Sequence, residues 1–169
     1  IVSVPEEPTF DYPQDVACDS DGNIFIAVSA NTGLTPRGLF KIDNNENVTN
    51  YNKFNLTSVA VDSDDNIYFS TNIYSHYNAP RQSSRIYKMS KSGSVTCIAG
   101  GGASLADGIP ALEGDFNIRG LAISREGEVY FSDSGLVRKI DSNGLIQTVV
   151  GGGQSPVTNF SGPARNVNL

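Results

Sequence analysis

The amino-acid sequence predicts an all-β protein built from repeated units of four antiparallel strands. Three observations support this fold class. One strand–turn–strand pattern occurs three times, a second pattern follows each copy of the first, and no segment carries apolar residues at the helical period of 3.6. The third strands are centred near Ile42, Met89 and Ile140, which gives a repeat of roughly 45–50 residues.

The first recurring pattern is an apolar run, a polar turn and a second run rich in aromatic and β-branched residues. Its copies read DVACDSDGNIFIA (15–27), SVAVDSDDNIYFS (58–70) and GLAISREGEVYFS (120–132). This pattern is typical of two strands joined by a tight turn, which we call strands a and b. Asp, Asn and Gly favour the turn because their side chains cap it or because they tolerate positive φ.

The second recurring pattern supplies strands c and d. Its copies read LFKIDNNENV (39–48), IYKMSKSGSV (86–95) and VRKIDSNGLI (137–146). A unit of four short strands with this period has the length of a propeller blade, a twisted sheet whose two faces are covered by its neighbours.

A short recurring motif sets the limits of the units. Phe54-Asn55-Leu56 and Phe116-Asn117-Ile118 precede the second and third a strands, and Val167-Asn168-Leu169 ends the sequence. We therefore predict an extended arm or linker (1–12), blade 1 (13–53), blade 2 with a long b–c loop and linker (54–115), blade 3 (116–153), and a linker with the start of a fourth blade (154–169).

These patterns resemble the NHL-repeat family of β-propellers. The resemblance rests on VAVDSDDNIYFS, RIYKMSKSGSVTCIAGGG and the DGIPALEGDFNI linker, and it covers about residues 13–169. It implies propeller blades but implies little about function. Propellers of this family usually carry about six blades, whereas this chain holds about three, and Thr57 and Arg119 stand where the family usually has proline.

Three blades leave two apolar faces without a neighbour, because closed rings hold typically four to eight blades. Leaving one face of several hundred Å2 in water forgoes on the order of 10 kcal/mol at about 25 cal/mol per Å2. We therefore expect an incomplete ring completed by further chain or by other subunits. The N-terminal arm (1–10) is either a linker or a strand added to another subunit.

Binding residues are expected at the end of the blades that carries the long b–c and d–a connections. The candidates in the b–c loop of blade 2 are Tyr74, His76, Tyr77 and Arg81, and Arg37 and Arg119 would lie near the same end. Aromatic rings and guanidinium groups suit recognition of a protein partner. A solvated insertion without a ligand is the alternative for that loop.

The sequence indicates no catalytic residue, metal site or cofactor. The acidic turns at Asp19 and Asp62 begin like a calcium loop, but the twelfth positions are Ala30 and Ile73 rather than glutamate, so we interpret them as turns. His76 is the single histidine of the chain. Cys18 occupies the repeat position of Val61 and Ile123 and is expected to be a small buried residue.

Charge and hydropathy limit the partners and location. The net charge is −6 without a cluster of Lys and Arg, which argues against nucleic acid, and no apolar run is long enough to span a membrane. N-glycosylation sequons occur at Asn47, Asn55 and Asn159. They favour an extracellular or cell-surface location.

The leading functional hypothesis is a non-catalytic protein-interaction or structural module that presents its long loops on one propeller face and associates through blade faces or the arm. The alternative is a fragment of a propeller hydrolase or lyase whose metal ligands lie in blades absent from this chain.

Overall fold

The computed structural model describes residues 12–29, 36–51, 54–71, 83–156 and 161–169. It contains three four-stranded antiparallel sheets whose strands pair in sequence order, which confirms the predicted all-β class. The strands of the first sheet are β1 (Pro13–Cys18), β2 (Ile24–Val28), β3 (Gly38–Ile42) and β4 (Val48–Asn50). Those of the second are β5 (Leu56–Val61), β6 (Ile67–Thr71), β7 (Arg85–Met89) and β8 (Val95–Ala99). Those of the third are β9 (Ile118–Ile123), β10 (Val129–Asp133), β11 (Leu136–Ile140) and β12 (Ile146–Val150).

A short parallel pair follows the third sheet. Strands β13 (Ser155–Pro156) and β14 (Val167–Asn168) pair through Ser155 with Val167. One 3-10 turn (Ala111–Glu113) lies in the linker before β9, and a second (Ala164–Asn166) lies before β14. We refer to the three large sheets as blades 1, 2 and 3.

The tight turns are closed by the acidic side chain that opens them. Asp62 Oδ1 accepts hydrogen bonds from the backbone N–H groups of Asp64 and Asn66, both at 2.9 Å, and the amide of Asn66 donates to the same carboxylate. Asp19 and Asp43 close their turns in the same way, and Asp141 does so through backbone N–H groups, since Leu145 has no side-chain amide. These carboxylates are therefore used by the turn geometry that the sequence predicted.

The blades pack face to face around two apolar clusters. Between blades 1 and 2 the cluster includes Phe25, Leu39 and Phe69. Between blades 2 and 3 it includes Ile86 and Phe131. The innermost strands β1, β5 and β9 lie side by side, so the a strands line the axis and the d strands lie at the periphery.

Glycines after β8 allow the linker to pass close to the blade. The N–H of Gly100 donates to the Ala111 carbonyl at 2.9 Å and that of Gly102 donates to the Gly114 carbonyl at 3.1 Å. Gly100 has a φ of +85°, and a Cβ on Gly102 would overlap the backbone carbonyl of Glu113. The Gly-rich segment after β12 makes equivalent bonds, with Gly151 bonded to the Ala164 carbonyl.

The expectation that Cys18 is buried is wrong, because this residue is exposed. It lies on the face of blade 1 that points away from blade 2, which we call the outer flank of blade 1. The paired residues Cys18, Ile24, Ile42 and Val48 run across all four strands of this flank. Its neighbour Val16 is 60% exposed. Among the described residues no blade covers this side, and Val61 and Ile123 are more buried because another blade does.

No helix among the described residues is both long enough and apolar enough to cross a membrane.

Candidate binding face

The long connections b–c and d–a lie at one end of the blades, because the four strands of each blade alternate in direction. At this end, the last two residues of the b–c loop of blade 2, Ser83 and Ser84, form hydrogen bonds with the start of blade 3. Ser84 is buried, its N–H donates to the Phe116 carbonyl at 2.8 Å, and its hydroxyl accepts from the N–H of Ile118. Ser83 Oγ accepts from the N–H of Phe116 at 3.0 Å. The C-terminal end of the loop is therefore held to the next blade by one backbone hydrogen bond and by the hydroxyl groups of Ser83 and Ser84.

The binding-face candidates divide into two groups. Tyr74, His76, Tyr77 and Arg81 fall outside the described residues. Arg37 and Arg119 are both exposed and lie at the loop end, immediately before β3 and within β9. They belong to blades 1 and 3 with blade 2 between them, so the structure does not bring these two together. Their binding role stays a prediction.

The glycosylation candidates differ in exposure. Asn47 is exposed at the turn between β3 and β4, and its amide donates to both oxygens of the Asp43 carboxylate, at 3.1 and 2.9 Å. These hydrogen bonds lower the pKa of Asp43. Asn55 is half-buried before β5, and Asn159 lies outside the described residues.

The opposite end of the blades carries an ion-pair cluster that sequence analysis missed. Lys91 Nζ lies 2.8 Å from Asp65 Oδ2 and 3.3 Å from Asp21 Oδ2, so it joins a turn of blade 1 to two turns of blade 2. The backbone N–H of Ser20 donates to Asp65 at 2.8 Å. The Lys91 ammonium and the Ser20 donors hold the pKa of Asp65 well below its usual range. Asp21 belongs to blade 1, whereas Asp65 and Lys91 belong to two separate turns of blade 2, so local patterns carry no signal for this contact.

A buried ion pair that sequence analysis also missed lies beside the β10–β11 connection of blade 3. Arg138 Nε lies 3.2 Å from Asp133 Oδ2, and both side chains are buried. Arg138 Nη2 donates to the Leu105 carbonyl at 2.7 Å, while Asp133 Oδ1 accepts from the N–H of Asn117 at 2.9 Å. The pair thus ties the β10–β11 hairpin to the linker on one side and to the start of β9 on the other.

An apolar groove opens between the outer parts of blades 1 and 2, and we call it the aromatic groove. Its volume is about 270 Å3, and it is lined by Tyr51, Phe54, Phe69, Tyr87, Met89, Gly93 and Val95. The rings of Phe54 and Tyr87 are stacked, with centroids 6.3 Å apart and an interplanar angle of 5°. The sequence signal that could have found it is the short connection between blades 1 and 2.

The described residues contain no group of three or more His, Cys, Asp or Glu side chains arranged to hold a metal ion.

Comparisons with known proteins decide the family. The family model described as "Teneurin NHL domain" matches residues 6–163. The chain belongs to this family. It is 46% identical to Teneurin-1 of Gallus gallus over 46 residues, which are 27% of this chain and 2% of that protein. It is 38% identical to Teneurin-3 of Mus musculus over 56 residues, which are 32% of this chain and 2% of that protein. The matched segments are therefore a very small part of these relatives.

A solved structure extends the likeness of this teneurin NHL domain to other propellers. Virginiamycin B lyase from Staphylococcus aureus matches with a TM-score of 0.56 at 14% identity, over 83% of this chain and 41% of that chain. At this identity the likeness is one of fold. The resemblance to NHL-repeat propellers is thus confirmed from both the family model and the fold.

Proposed function

We propose that this teneurin NHL domain chain is a non-catalytic interaction module of an extracellular or cell-surface protein. Its long b–c and d–a connections form a binding face for a protein partner, and its blades continue into a larger ring formed by further chain or by other subunits. Membership of the teneurin NHL family supports an interaction role. The sequon at the exposed Asn47 supports the location.

The observation that carries the proposal is the apolar outer flank of blade 1. Val16, Cys18 and Ile24 are exposed there, whereas Val28 and Phe40 on the same flank are buried. In blades 2 and 3 the corresponding face is covered by the preceding blade. Exposed apolar surface of this kind marks an interaction site.

The outer face of blade 3 carries side chains that would suit packing against the outer flank of blade 1. Its residues Ala122, Tyr130 and Lys139 occupy the repeat positions of Ala60, Tyr68 and Lys88, which lie on the face of blade 2 that packs on blade 3. The blade 3 flank of one unit against the blade 1 flank of the next would therefore repeat the internal interface. This head-to-tail contact either closes a ring or extends an array.

Sedimentation of the full chain tests this proposal. We expect a particle larger than the 18.0 kDa monomer, and Val16→Lys should reduce it to the monomer by placing a charge on the flank. Leu112→Lys is the matched control, since Leu112 is an exposed apolar residue of the linker turn. A cooperatively melting 18.0 kDa monomer of the unchanged chain would contradict association through the flanks.

The alternative, a piece of a propeller hydrolase or lyase, draws on the shared fold with virginiamycin B lyase. It requires metal ligands contributed from outside this chain. Metal analysis of the native protein separates the two proposals, because a stoichiometric transition metal would favour the enzyme and its absence would favour the interaction module.

A further inference from the structure

The aromatic groove has a filled counterpart between blades 2 and 3. By the repeat, Phe54 corresponds to Phe116 and Val95 corresponds to Ile146. Phe54 is 56% exposed and Val95 is 53% exposed, whereas Phe116 is 1% and Ile146 is 0% exposed. The same apolar positions are therefore covered in one gap and open in the other.

The segment that fills the second gap is the extended linker at residues 107–111. The N–H of Ile146 donates to the Ile109 carbonyl at 2.9 Å, and the N–H of Gly108 donates to the Ile146 carbonyl at 2.7 Å. Pro110 forms an antiparallel bridge with Leu145. The segment is thus added as a short strand to the outer edge of β12.

The side chains of this segment enter the gap and cap the edge. Ala111 is buried in the cluster that contains Ile146, and Ile109 packs against that cluster. Asp107 Oδ1 accepts from both the N–H and the hydroxyl of Thr148, at 2.9 and 2.8 Å. In the sequence Asp-Gly-Ile-Pro-Ala, the aspartate therefore accepts hydrogen bonds from the outer edge of β12, and the isoleucine and alanine fill the gap. The proline stands at a position where the backbone donates no hydrogen bond to β12.

Among the described residues, none forms such a segment on blade 2, and the linker that precedes this blade is short. Three residues (51–53) separate β4 from Phe54, whereas sixteen (100–115) separate β8 from Phe116. Within the described ranges, no backbone hydrogen bond from outside the sheet reaches Val95. The outer edge of β8 thus combines an open strand edge with an apolar cavity, the two requirements of strand addition.

We propose that the aromatic groove binds an extended segment of a partner protein with the chemistry Asp-Gly-aliphatic-Pro-Ala. The segment pairs antiparallel with the outer edge of β8 at Val95, and its aliphatic side chain enters the cavity beside Phe54 and Tyr87. Its acidic side chain accepts from the N–H of Cys97, the repeat position of Thr148. This proposal specifies what kind of segment the interaction module binds, and in that respect it rests on the proposed function. It does not depend on association through the outer flank of blade 1.

A labelled peptide tests the groove. The peptide ADGIPALEG, copied from residues 106–114, is titrated with the full chain and followed by fluorescence anisotropy. We expect saturable binding that weakens at least about tenfold in Val95→Lys. Leu112→Lys is the matched control, since Leu112 is an exposed apolar residue outside both the aromatic groove and the outer flank of blade 1. Val48→Lys reports separately on the equivalent edge of blade 1. The peptide ADGSPALEG should lose binding because its serine cannot fill an apolar cavity.

Amide chemical shifts of the unchanged chain locate the peptide without relying on a variant. We expect the largest changes at Val95 and Cys97. Absence of saturable binding, or equal binding by Val95→Lys, would overturn the proposal. Loss of binding in Val48→Lys alone would place the peptide on the outer flank of blade 1 and would also overturn it.

Sedimentation distinguishes this failure from failure of the flank proposal. If Val95→Lys rather than Val16→Lys converts an associated particle to the monomer, a second copy occupies the groove and the peptide proposal is wrong. If the chain is a monomer yet binds the peptide at Val95, the groove proposal holds while association through the flanks is contradicted.

Discussion

Asp15 in blade 1 is bonded to Ser58, its repeat equivalent in blade 2. The hydroxyl of Ser58 and the N–H of Val59, the latter at 3.0 Å, both donate to Asp15 Oδ2. Ser58 Oγ in turn accepts from the N–H of Leu121 in blade 3 at 3.0 Å. A side chain of blade 1 and a side chain of blade 2 therefore each bind the innermost strand of the following blade, and these bonds set the spacing of the three blades near the axis.

Replacing Ser58 by alanine should destabilise the chain. Ser58 is buried, and removing its hydroxyl leaves the N–H of Leu121 without an acceptor and Asp15 Oδ2 without one of its donors. We expect this loss to lower the free energy of unfolding by about 1–3 kcal/mol. The measurement is the free energy of unfolding in urea. Ser132→Ala is the control at an exposed serine of β10. Equal unfolding midpoints for the two variants would contradict the role of this bond.

Asp65 should make stability depend on acidic pH. Lys91 and Ser20 hold the pKa of Asp65 below its unfolded value, so the stabilisation is present above the unfolded pKa of about 3.9 and is lost as pH falls below it. Asp65→Asn should therefore lower the melting temperature at pH 7 and flatten its decline toward acid. Asp64→Asn in the same turn is the control. An unchanged pH profile in Asp65→Asn would count against this assignment.

Arg138 should be costly to remove alone and less costly to remove with its partner. Arg138→Met leaves a buried carboxylate at Asp133 unpaired, which costs about 3–5 kcal/mol. The double variant Asp133→Asn/Arg138→Met removes both charges, so we expect it to recover part of that loss. Urea unfolding of the single and double variants measures the coupling. Additive effects would show that the ion pair is not coupled.

Gly102 should not tolerate a methyl group. A Cβ at this position would overlap the Glu113 carbonyl, so Gly102→Ala must displace the linker from the blade. We expect a loss of more than about 1 kcal/mol in unfolding free energy, well beyond a neutral surface change. Gly120→Ala is the matched control, because the nearest atom to a Cβ there is Ser132 Oγ at 3.6 Å. Similar stabilities for the two variants would argue against the close approach.

The repeat pattern predicts where strands and turns lie, but it treats equivalent residues as equal. Phe54 and Phe116 stand in the same Phe-Asn motif, yet one lines an open groove and the other is buried. The difference arises from the length of the linker that crosses each gap. The ion pairs of Lys91 and Arg138 were also missed by sequence analysis, because these pairs depend on how side chains from separate strands and turns meet in the folded chain.

The sequence by itself determined the strands, the turns closed by Asp and Asn, and the membership of a propeller family, because alternation and turn chemistry act over a few neighbouring residues. Only the tertiary structure decided which apolar faces are covered. Burial depends on the element that lies across a gap, and that element comes from elsewhere in the chain. Cys18 and Val61 share a repeat position, but a blade covers only the second.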